Sequence, residues 1–181
     1  MSTIQNYGLL WERKYIFWGW QRTTGHLKGS NGKKTNARIE VDFREQAGVY
    51  ILYDSNQIPV YVGQAGKGNK SLYSRLKDHT DDHLWNRWQY FSWFGLYGAD
   101  SDANLIIPEK ETEVTTTIKD ALNDIEAVLI AGIEPKLNKR GANWGEANEW
   151  WQVRDDRVKD VTLNDLLEKL TELDGKIMIA R

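Results

Sequence analysis

The feature that most constrains the fold is a pair of β-rich runs, Gly48–Asp54 and Ile58–Gly63, joined by a short polar stretch. β-Branched and aromatic residues on either side of a polar turn predict a β-hairpin. A two-residue or a four-residue loop gives the same register, in which one face of the hairpin is entirely apolar and suited to a core. On that face the expected pairs are Val49 with Val62, Ile51 with Val60 and Tyr53 with Ile58.

The opposite face of the predicted hairpin carries two phenols. In the same register Tyr50 lies across from Tyr61, with Leu52 and Pro59 next to them. Paired tyrosines commonly stabilise a sheet by packing against each other, and their hydroxyl groups can also serve chemistry. From the pairing alone, a structural role and a catalytic role for these tyrosines both remain open.

The composition is that of a self-contained domain. The chain has 181 residues, enough for one domain with a full core or for one domain with appendages, and its nine Trp and eight Tyr provide much buried area. The absence of Cys excludes disulfide bonds, thiolate metal sites and thiol nucleophiles. Neither an apolar run of about 20 residues nor a signal-peptide core after Met1 is present, so we expect a cytoplasmic protein.

The formal net charge of −2 and the pI of about 6.0 are unlike those of a protein that coats nucleic acid non-specifically. Basic residues are nevertheless concentrated before residue 44, where an aromatic, strand-prone run precedes the Gly-, Lys- and Asn-rich stretch Thr23–Asn36. We interpret residues 1–44 as a β-rich N-terminal extension that either packs on the main domain or carries a DNA-contacting loop. The candidate contacts of such a loop are Lys28, Lys33 and Lys34.

Glycine and basic residues also follow the hairpin, in the stretch Gln64–Lys70. The backbone amides of such a loop can face a phosphate, although the same composition is typical of a flexible connector. The candidates for nucleic-acid contact in this stretch are Gln64, Lys67 and Lys70.

A helix is predicted over Ser71–His79, because Leu72 and Leu76 have the spacing of a buried stripe. Arg75 and His79 are four residues apart, so both side chains project from one side of that helix. The sequence therefore brings a cation and an imidazole together directly after the hairpin.

Two more elements are predicted downstream, a third strand over Trp88–Leu96 and a helix over Ile118–Ala131 that ends at Gly132. The expected buried stripe of the helix consists of Ile118, Leu122, Ile125 and Leu129. Glu126 lies against this stripe, where a carboxylate is costly unless it is paired, protonated or bound to a metal. A metal site and a buried salt bridge are therefore both open for Glu126.

Gly48-Val49-Tyr50 and Tyr61-Val62-Gly63 resemble the defining signature of the GIY-YIG nuclease superfamily, with Val in place of each Ile. Other elements of that family follow in the same order and with similar spacing. They are Arg75 and His79 on one helix, Glu126 on a second helix and Asn138 beyond a proline. The resemblance covers residues from about 46 to 141, roughly half of the chain.

This resemblance implies an α+β fold built on a small three-stranded antiparallel sheet flanked by helices. The nuclease domain would span residues 45–141, between the β-rich extension of residues 1–44 and a tail of residues 142–181. An amphipathic segment, Leu163–Leu173, predicts a helix in that tail.

The resemblance also implies a Mg²⁺- or Mn²⁺-dependent endonuclease that hydrolyses DNA phosphodiester bonds in repair, restriction or defence. Phosphodiester hydrolysis needs cations that neutralise the transition-state charge and a base that activates water. The implied site residues are Glu126 as the metal ligand, Arg75 as the phosphate clamp, Tyr50 or Tyr61 as the general base, His79 as a helper near the phosphate or leaving group, and Asn138 as a positioning residue.

Two alternatives stay open, a nucleic-acid-binding module of the same fold that does not cleave, and a nuclease that acts on RNA. The binding module is favoured by the acidic pI and by one departure from the family pattern. Gln64 stands where many family members carry a lysine after the second motif, although Lys67 or Lys70 would be able to substitute from the loop.

Overall fold

The computed structural model describes residues 3–20, 23–32, 39–66, 70–107, 118–134 and 140–160, together with 165, 167, 170 and 171. Within the second helix, side chains are described from residue 123 onward. Lys33, Lys34, Lys67 and Asn138 lie outside these residues, as does most of the predicted terminal helix.

The described residues form an α+β structure, as expected. Its elements are β1 (Asn6–Glu12), a short 3₁₀ helix (Arg13–Tyr15), β2 (Lys28–Ser30), β3 (Glu40–Asp42), β4 (Gly48–Tyr53), β5 (Pro59–Ala65), α1 (Leu72–Asp78), β6 (Tyr90–Gly95), β7 (Gly98–Ala99), β8 (Leu105–Ile106), α2 (Ile118–Ile133), β9 (Asn148–Glu149) and β10 (Trp151–Gln152). None of the helices in the described ranges has the length and apolar character needed to cross a membrane.

Strands β4 and β5 form the predicted hairpin with a loop of a different length. Hydrogen bonds close the loop from the Asp54 N–H to the Ile58 carbonyl, at 3.0 Å, and from the Gln57 N–H to the Asp54 carbonyl, at 3.1 Å. The Asp54 carboxylate also accepts hydrogen bonds from the backbone amides of Asn56 and Ile58. Gln57 adopts a φ of 62°, which completes a loop of three residues instead of two or four.

The register of the hairpin differs from the predicted one by two residues over most of its length. After an irregularity between Leu52 and Tyr53, Leu52 pairs with Tyr61 and Tyr50 pairs with Gly63. A shift of two residues keeps each side chain on its face of the sheet, whereas a shift of one would reverse every face. The predicted pairs were therefore wrong, although Tyr50 and Tyr61 do share one face.

The hairpin belongs to a sheet with the strand order β5-β4-β6-β1-β9. The pairs β4–β5, β4–β6 and β1–β6 are antiparallel, and β1–β9 is parallel. The expected three-stranded antiparallel unit is thus present and is extended by two strands. One of these comes from residues 1–44 and the other from residues 142–181, so both ends of the chain build on the sheet that contains the hairpin. Two smaller sheets accompany it, β10-β2-β3 and β7-β8.

The larger core lies between α1 and the face of the central sheet that carries Tyr50 and Leu52. The stripe predicted on α1 is confirmed, because Leu72 and Leu76 are both buried. Most of the large side chains in this core are aromatic, among them Trp11, Phe43, Trp88, Phe91 and Trp93. The burial of Trp11 supports the interpretation in which the N-terminal aromatic residues pack on the main domain.

The opposite face of the central sheet was expected to be the core, and it is only partly covered. Ile51 and Tyr53 are buried there beneath α2, while Val49 and Val62 are exposed near the free edge of β5. The prediction was wrong because it treated the two phenols as polar. Their rings are large apolar surfaces that gain from burial once the hydroxyl group has a partner.

Helix α2 packs on this second face through small residues. Val128 and Ala131 contact the cluster that contains Ile51, and the Cα of Gly132 faces the Ile51 side chain so closely that a Cβ would overlap it. Because α2 ends at Ile133, Gly132 lies within its last turn and does not end it. The predicted burial of Ile125 and Leu129 was wrong, since they are 57% and 52% exposed. The side chains of Ile118 and Leu122, the other members of the predicted stripe, lie outside the described residues.

Gly48, the first glycine of the signature, provides a test of how closely β4 approaches β6. Its φ is 151°, and a Cβ at this position would overlap the carbonyl oxygen of Phe94 on β6. We expect Gly48→Ala to lower the free energy of unfolding by about 1–3 kcal/mol or more, because backbone strain and overpacking add. Urea unfolding followed by Trp fluorescence measures this change.

Two other glycines serve as controls for that substitution. Gly145→Ala adds a Cβ at a φ of 57° in open space, and Gly141→Ala adds one in open space without a positive φ. If Gly48→Ala were no more destabilising than Gly145→Ala, the close approach to Phe94 would have no energetic effect.

Candidate active site

The candidate site lies on the α1 side of the central sheet, where Tyr50, Tyr61, Arg75 and His79 come together. The two tyrosine rings are tilted at 37° to each other, with centroids 6.2 Å apart. Gly63 lies opposite Tyr50 in the hairpin, and a Cβ there would overlap the phenol carbon and oxygen of Tyr50. The glycine of the second motif therefore leaves the space in which the first tyrosine ring lies.

Tyr50 forms the inner wall of the site. Its side chain is fully buried, and its hydroxyl group lies 2.8 Å from Nε2 of His79. Burial raises the pKa of Tyr50 to about 12, and the positive charge of Arg75 opposes that rise. Tyr50 is therefore a neutral phenol at physiological pH, able to donate a hydrogen bond.

His79 is held on several sides. It is the C-cap residue of α1 and is only 4% exposed. Its Nδ1 lies 2.7 Å from Oδ2 of Asp82, and its backbone carbonyl accepts a hydrogen bond of 3.0 Å from the indole N–H of Trp88. The ring of Tyr61 contacts the imidazole edge to face, with the ring centroids 4.8 Å apart. These contacts fix the imidazole between the two tyrosines.

Asp82 was not among the residues predicted from the sequence. Its Oδ1 accepts a hydrogen bond of 2.8 Å from the backbone N–H of Leu84, and its Oδ2 faces His79. Burial opposes ionisation of the carboxyl group, but the hydrogen bonds from Leu84 and His79 lower its pKa below the ordinary value. The only signal in the sequence was an aspartate three residues after the histidine, a spacing too common to single it out.

Arg75 supplies the positive charge of the site from the half-buried side of α1. Burial alone would lower the pKa of its guanidinium group, but Tyr50, Tyr61 and Asp78 raise it above the ordinary value. Among the described residues, no carboxylate lies within ion-pair distance of Arg75. The guanidinium group is thus a permanent cation beside two phenols, with donors free to bind an anion.

The structure does not bring Glu126 to this cluster. Glu126 is exposed on α2, and α2 packs on the other face of the central sheet through Val128, Ala131 and Gly132. No described residue forms a hydrogen bond or an ion pair with its carboxylate, so the buried salt bridge considered for it is absent from the described structure.

The predicted nucleic-acid contacts are spread over the surface. Gln64 is exposed on β5, and the Nζ of Lys70 forms an ion pair of 3.1 Å with Asp78 on α1. Lys28 lies on β2, in the second sheet, opposite Asp42. Lys70 thus contacts α1, the helix that carries Arg75, and Gln64 directly follows Gly63, which packs against Tyr50.

The cluster by itself does not fit a divalent metal ion. Among the described residues there is no group of three or more His, Asp or Glu side chains that could hold a metal. The carboxylate of the cluster, Asp82, already accepts hydrogen bonds on both oxygens, and Mg²⁺ or Mn²⁺ prefers free oxygen ligands. A role for Mg²⁺ or Mn²⁺ on Glu126 therefore stays a prediction.

The buried phenol makes stability depend on pH in a defined direction. A pKa raised from 10.0 to about 12 means that the neutral phenol of Tyr50 stabilises the folded state below pH 10.0, and that this contribution is lost as the pH rises to about 12. Tyr50→Phe removes the ionisable group. We expect the difference in unfolding free energy between wild type and Tyr50→Phe to fall across this window. A constant difference would contradict the burial of Tyr50.

Comparison of the chain with protein-family models, with curated proteins and with solved structures gave no match. The case for a function therefore depends on the geometry of the cluster and on the signature motifs.

Proposed function

We propose that this protein is an endonuclease that hydrolyses DNA phosphodiester bonds at the cluster of Tyr50, Tyr61, Arg75 and His79. The observation that carries the proposal is the position of Arg75, a cation without a carboxylate partner in the described structure, beside two phenols and an imidazole. The glycines that shape the signature motifs support it, because Gly63 makes room for Tyr50 and Gly48 allows β4 to approach β6.

Arg75 suits the role of phosphate clamp. A guanidinium group presents several N–H donors in one plane and binds two phosphate oxygens at once. As the phosphate is attacked, negative charge accumulates on its oxygens, and a fixed cation beside them stabilises the transition state. The half-buried position of Arg75 strengthens this effect, since fewer water molecules screen the charge.

The two tyrosines take different parts in this proposal. Tyr50 is fully buried and already engaged with His79, so it does not reach a substrate. Tyr61 is half-buried at the outer side of the cluster and is the phenol that meets the substrate. We therefore assign Tyr61 as the general base that takes a proton from the attacking water, on the same side of the sheet as Arg75. Tyr50 and His79 hold the site in place from within.

The proposed requirement for Mg²⁺ or Mn²⁺ follows from the family resemblance and depends on Glu126. The described cluster offers no free carboxylate, so Arg75 and Tyr61 have no part in holding the metal in this proposal. Cleavage assays with Mg²⁺, with Mn²⁺ and with EDTA test the requirement directly.

The experiment is single-turnover cleavage of supercoiled plasmid, linear duplex and single-stranded DNA, with a single-stranded RNA of matched sequence. We expect nicking or linearisation of DNA with Mg²⁺ or Mn²⁺, and no cleavage in EDTA. Cleavage of RNA alone would replace the DNA assignment with an RNA-directed nuclease. Absence of cleavage of every substrate with either metal would overturn the proposed activity.

Two substitutions assign the activity to the cluster. Tyr61→Phe removes one hydroxyl group and should lower the single-turnover rate at least about 100-fold, as expected for loss of a general base. Affinity for DNA, measured in EDTA, should stay nearly unchanged. Arg75→Ala should reduce both affinity and rate, because the cation contacts the phosphate in the ground state and in the transition state.

Matched substitutions outside the cluster are the controls for this test. Tyr15→Phe changes a half-buried tyrosine on the 3₁₀ helix, and Arg154→Ala removes an arginine that pairs with Asp160. Both should cleave at the wild-type rate. A loss of activity in Tyr15→Phe equal to that in Tyr61→Phe would point to a general effect of the substitution instead of chemistry at the cluster.

A binding module that does not cleave is the second candidate. The position of Glu126 on the other side of the sheet favours it, since the predicted metal ligand is separated from the phosphate clamp. Under this alternative Arg75→Ala weakens DNA binding, Glu126→Gln has no effect, and neither wild type nor variant cleaves DNA.

A further inference from the structure

We propose that Asp82 is a positioning residue that fixes the tautomer of His79 and, through it, the direction of the Tyr50 hydroxyl group. The inference rests on the proposed function only for its catalytic consequence. Its structural part stands on two contacts in the described chain, 2.7 Å between Asp82 Oδ2 and His79 Nδ1, and 2.8 Å between His79 Nε2 and the Tyr50 oxygen.

The carboxylate of Asp82 sets the direction of the hydrogen bonds that run from Asp82 through His79 to Tyr50. An ionised carboxylate has no proton to give, so Asp82 accepts and Nδ1 of His79 donates. Hydrogen bonds from Leu84 and His79 keep the carboxyl group of Asp82 ionised, since they lower its pKa. A neutral imidazole with its proton on Nδ1 has a bare nitrogen at Nε2. Nε2 then accepts the hydrogen bond, and Tyr50 donates it.

The other side of Tyr50 favours the same direction. Arg75 places a positive charge near the Tyr50 oxygen and can only donate hydrogen bonds. The phenol proton is repelled from this charge and points toward His79, while the oxygen lone pairs face Arg75. While His79 is neutral, a donor-only group on one side and an acceptor-only group on the other leave one arrangement of protons in the buried site.

The consequence for the site concerns Arg75. With the Tyr50 lone pairs turned toward the guanidinium group, Arg75 can donate a hydrogen bond to Tyr50 and keep its remaining N–H donors for the substrate. If Asp82 loses its charge, the imidazole is free to carry its proton on Nε2, which would then donate to Tyr50. The Tyr50 proton would have to turn toward Arg75, where it meets a like charge.

The side-chain ¹⁵N resonances of histidine report the tautomer directly. The chain contains three histidines, so His79→Gln assigns the signals of His79. In wild type at slightly alkaline pH we expect Nδ1 to be protonated and Nε2 to be bare. In Asp82→Asn we expect the ratio of the two tautomers to change at least about tenfold toward the form with the proton on Nε2.

The neighbouring carboxylate provides the matched control for this substitution. Asp81→Asn removes one negative charge from an exposed residue of the same turn, so its His79 signals should match those of wild type. The amide oxygen of Asn at position 82 can still accept the hydrogen bond from the Leu84 N–H, so the turn is retained. Circular dichroism and Trp fluorescence verify that both variants are folded.

The catalytic consequence is tested separately by cleavage rates. Asp82→Asn should lower the maximal single-turnover rate at least about tenfold, as loss of an imidazole-orienting carboxylate does elsewhere, with a smaller change in the DNA concentration at half-maximal rate. Asp81→Asn should cleave like wild type. This pattern separates misalignment of the site from a loss of binding.

The two readouts distinguish failure of this inference from failure of the proposed function. A tautomer change in Asp82→Asn supports the positioning role even if no nucleic acid is cleaved. A proton on Nε2 in wild type, or His79 signals that do not respond to Asp82→Asn, overturns the inference even if the enzyme cleaves DNA. A changed tautomer with an unchanged cleavage rate overturns the link between Asp82 and the site.

Discussion

The rest of the structure depends on strand β4, which pairs with β5 on one side and β6 on the other. Both of its faces are used. Tyr50 and Leu52 point into the core under α1, whereas Ile51 and Tyr53 point into the core under α2. Because successive side chains of a strand alternate between faces, neighbouring residues of β4 pack in different cores. A shift of β4 would disturb the aromatic core, the packing of α2 and the cluster around His79 together.

The side chains of the cluster have a structural role besides the chemical role proposed for them. Tyr50 fills space beneath the sheet like any core aromatic residue, and its hydroxyl group holds His79. The backbone carbonyl of His79 accepts the indole proton of Trp88, which is fully buried. The groups proposed to take part in catalysis are thus supported by fully buried side chains of the described structure, which limits their motion and would lower the reorganisation needed during a reaction.

Much of this arrangement could be predicted from the sequence, because it is local. The hairpin, α1 with its two buried leucines and the third strand follow from periodicity, and the spacing of four positions from Arg75 to His79 brings both to one side of the helix. The register of the hairpin could not be predicted, because the Asp54 side chain stabilises a three-residue loop and an irregularity follows. The buried side of α2 was misjudged because Ile125, Leu129 and Ile133 are exposed, whereas Gly132 allows close packing with Ile51.

The irregularity between Leu52 and Tyr53 has a consequence for the evolution of this hairpin. Tyr50 and Tyr61 share a face only if the number of residues between them suits the loop and the irregularity together. A residue inserted into or deleted from the loop of residues 55–57 would leave the pairing of β4 with β5 unchanged. One residue inserted within either strand, between a tyrosine and the loop, would turn that phenol to the other face unless a bulge absorbed it. The separation of the two motifs is therefore free to vary in the loop and constrained by parity within the strands.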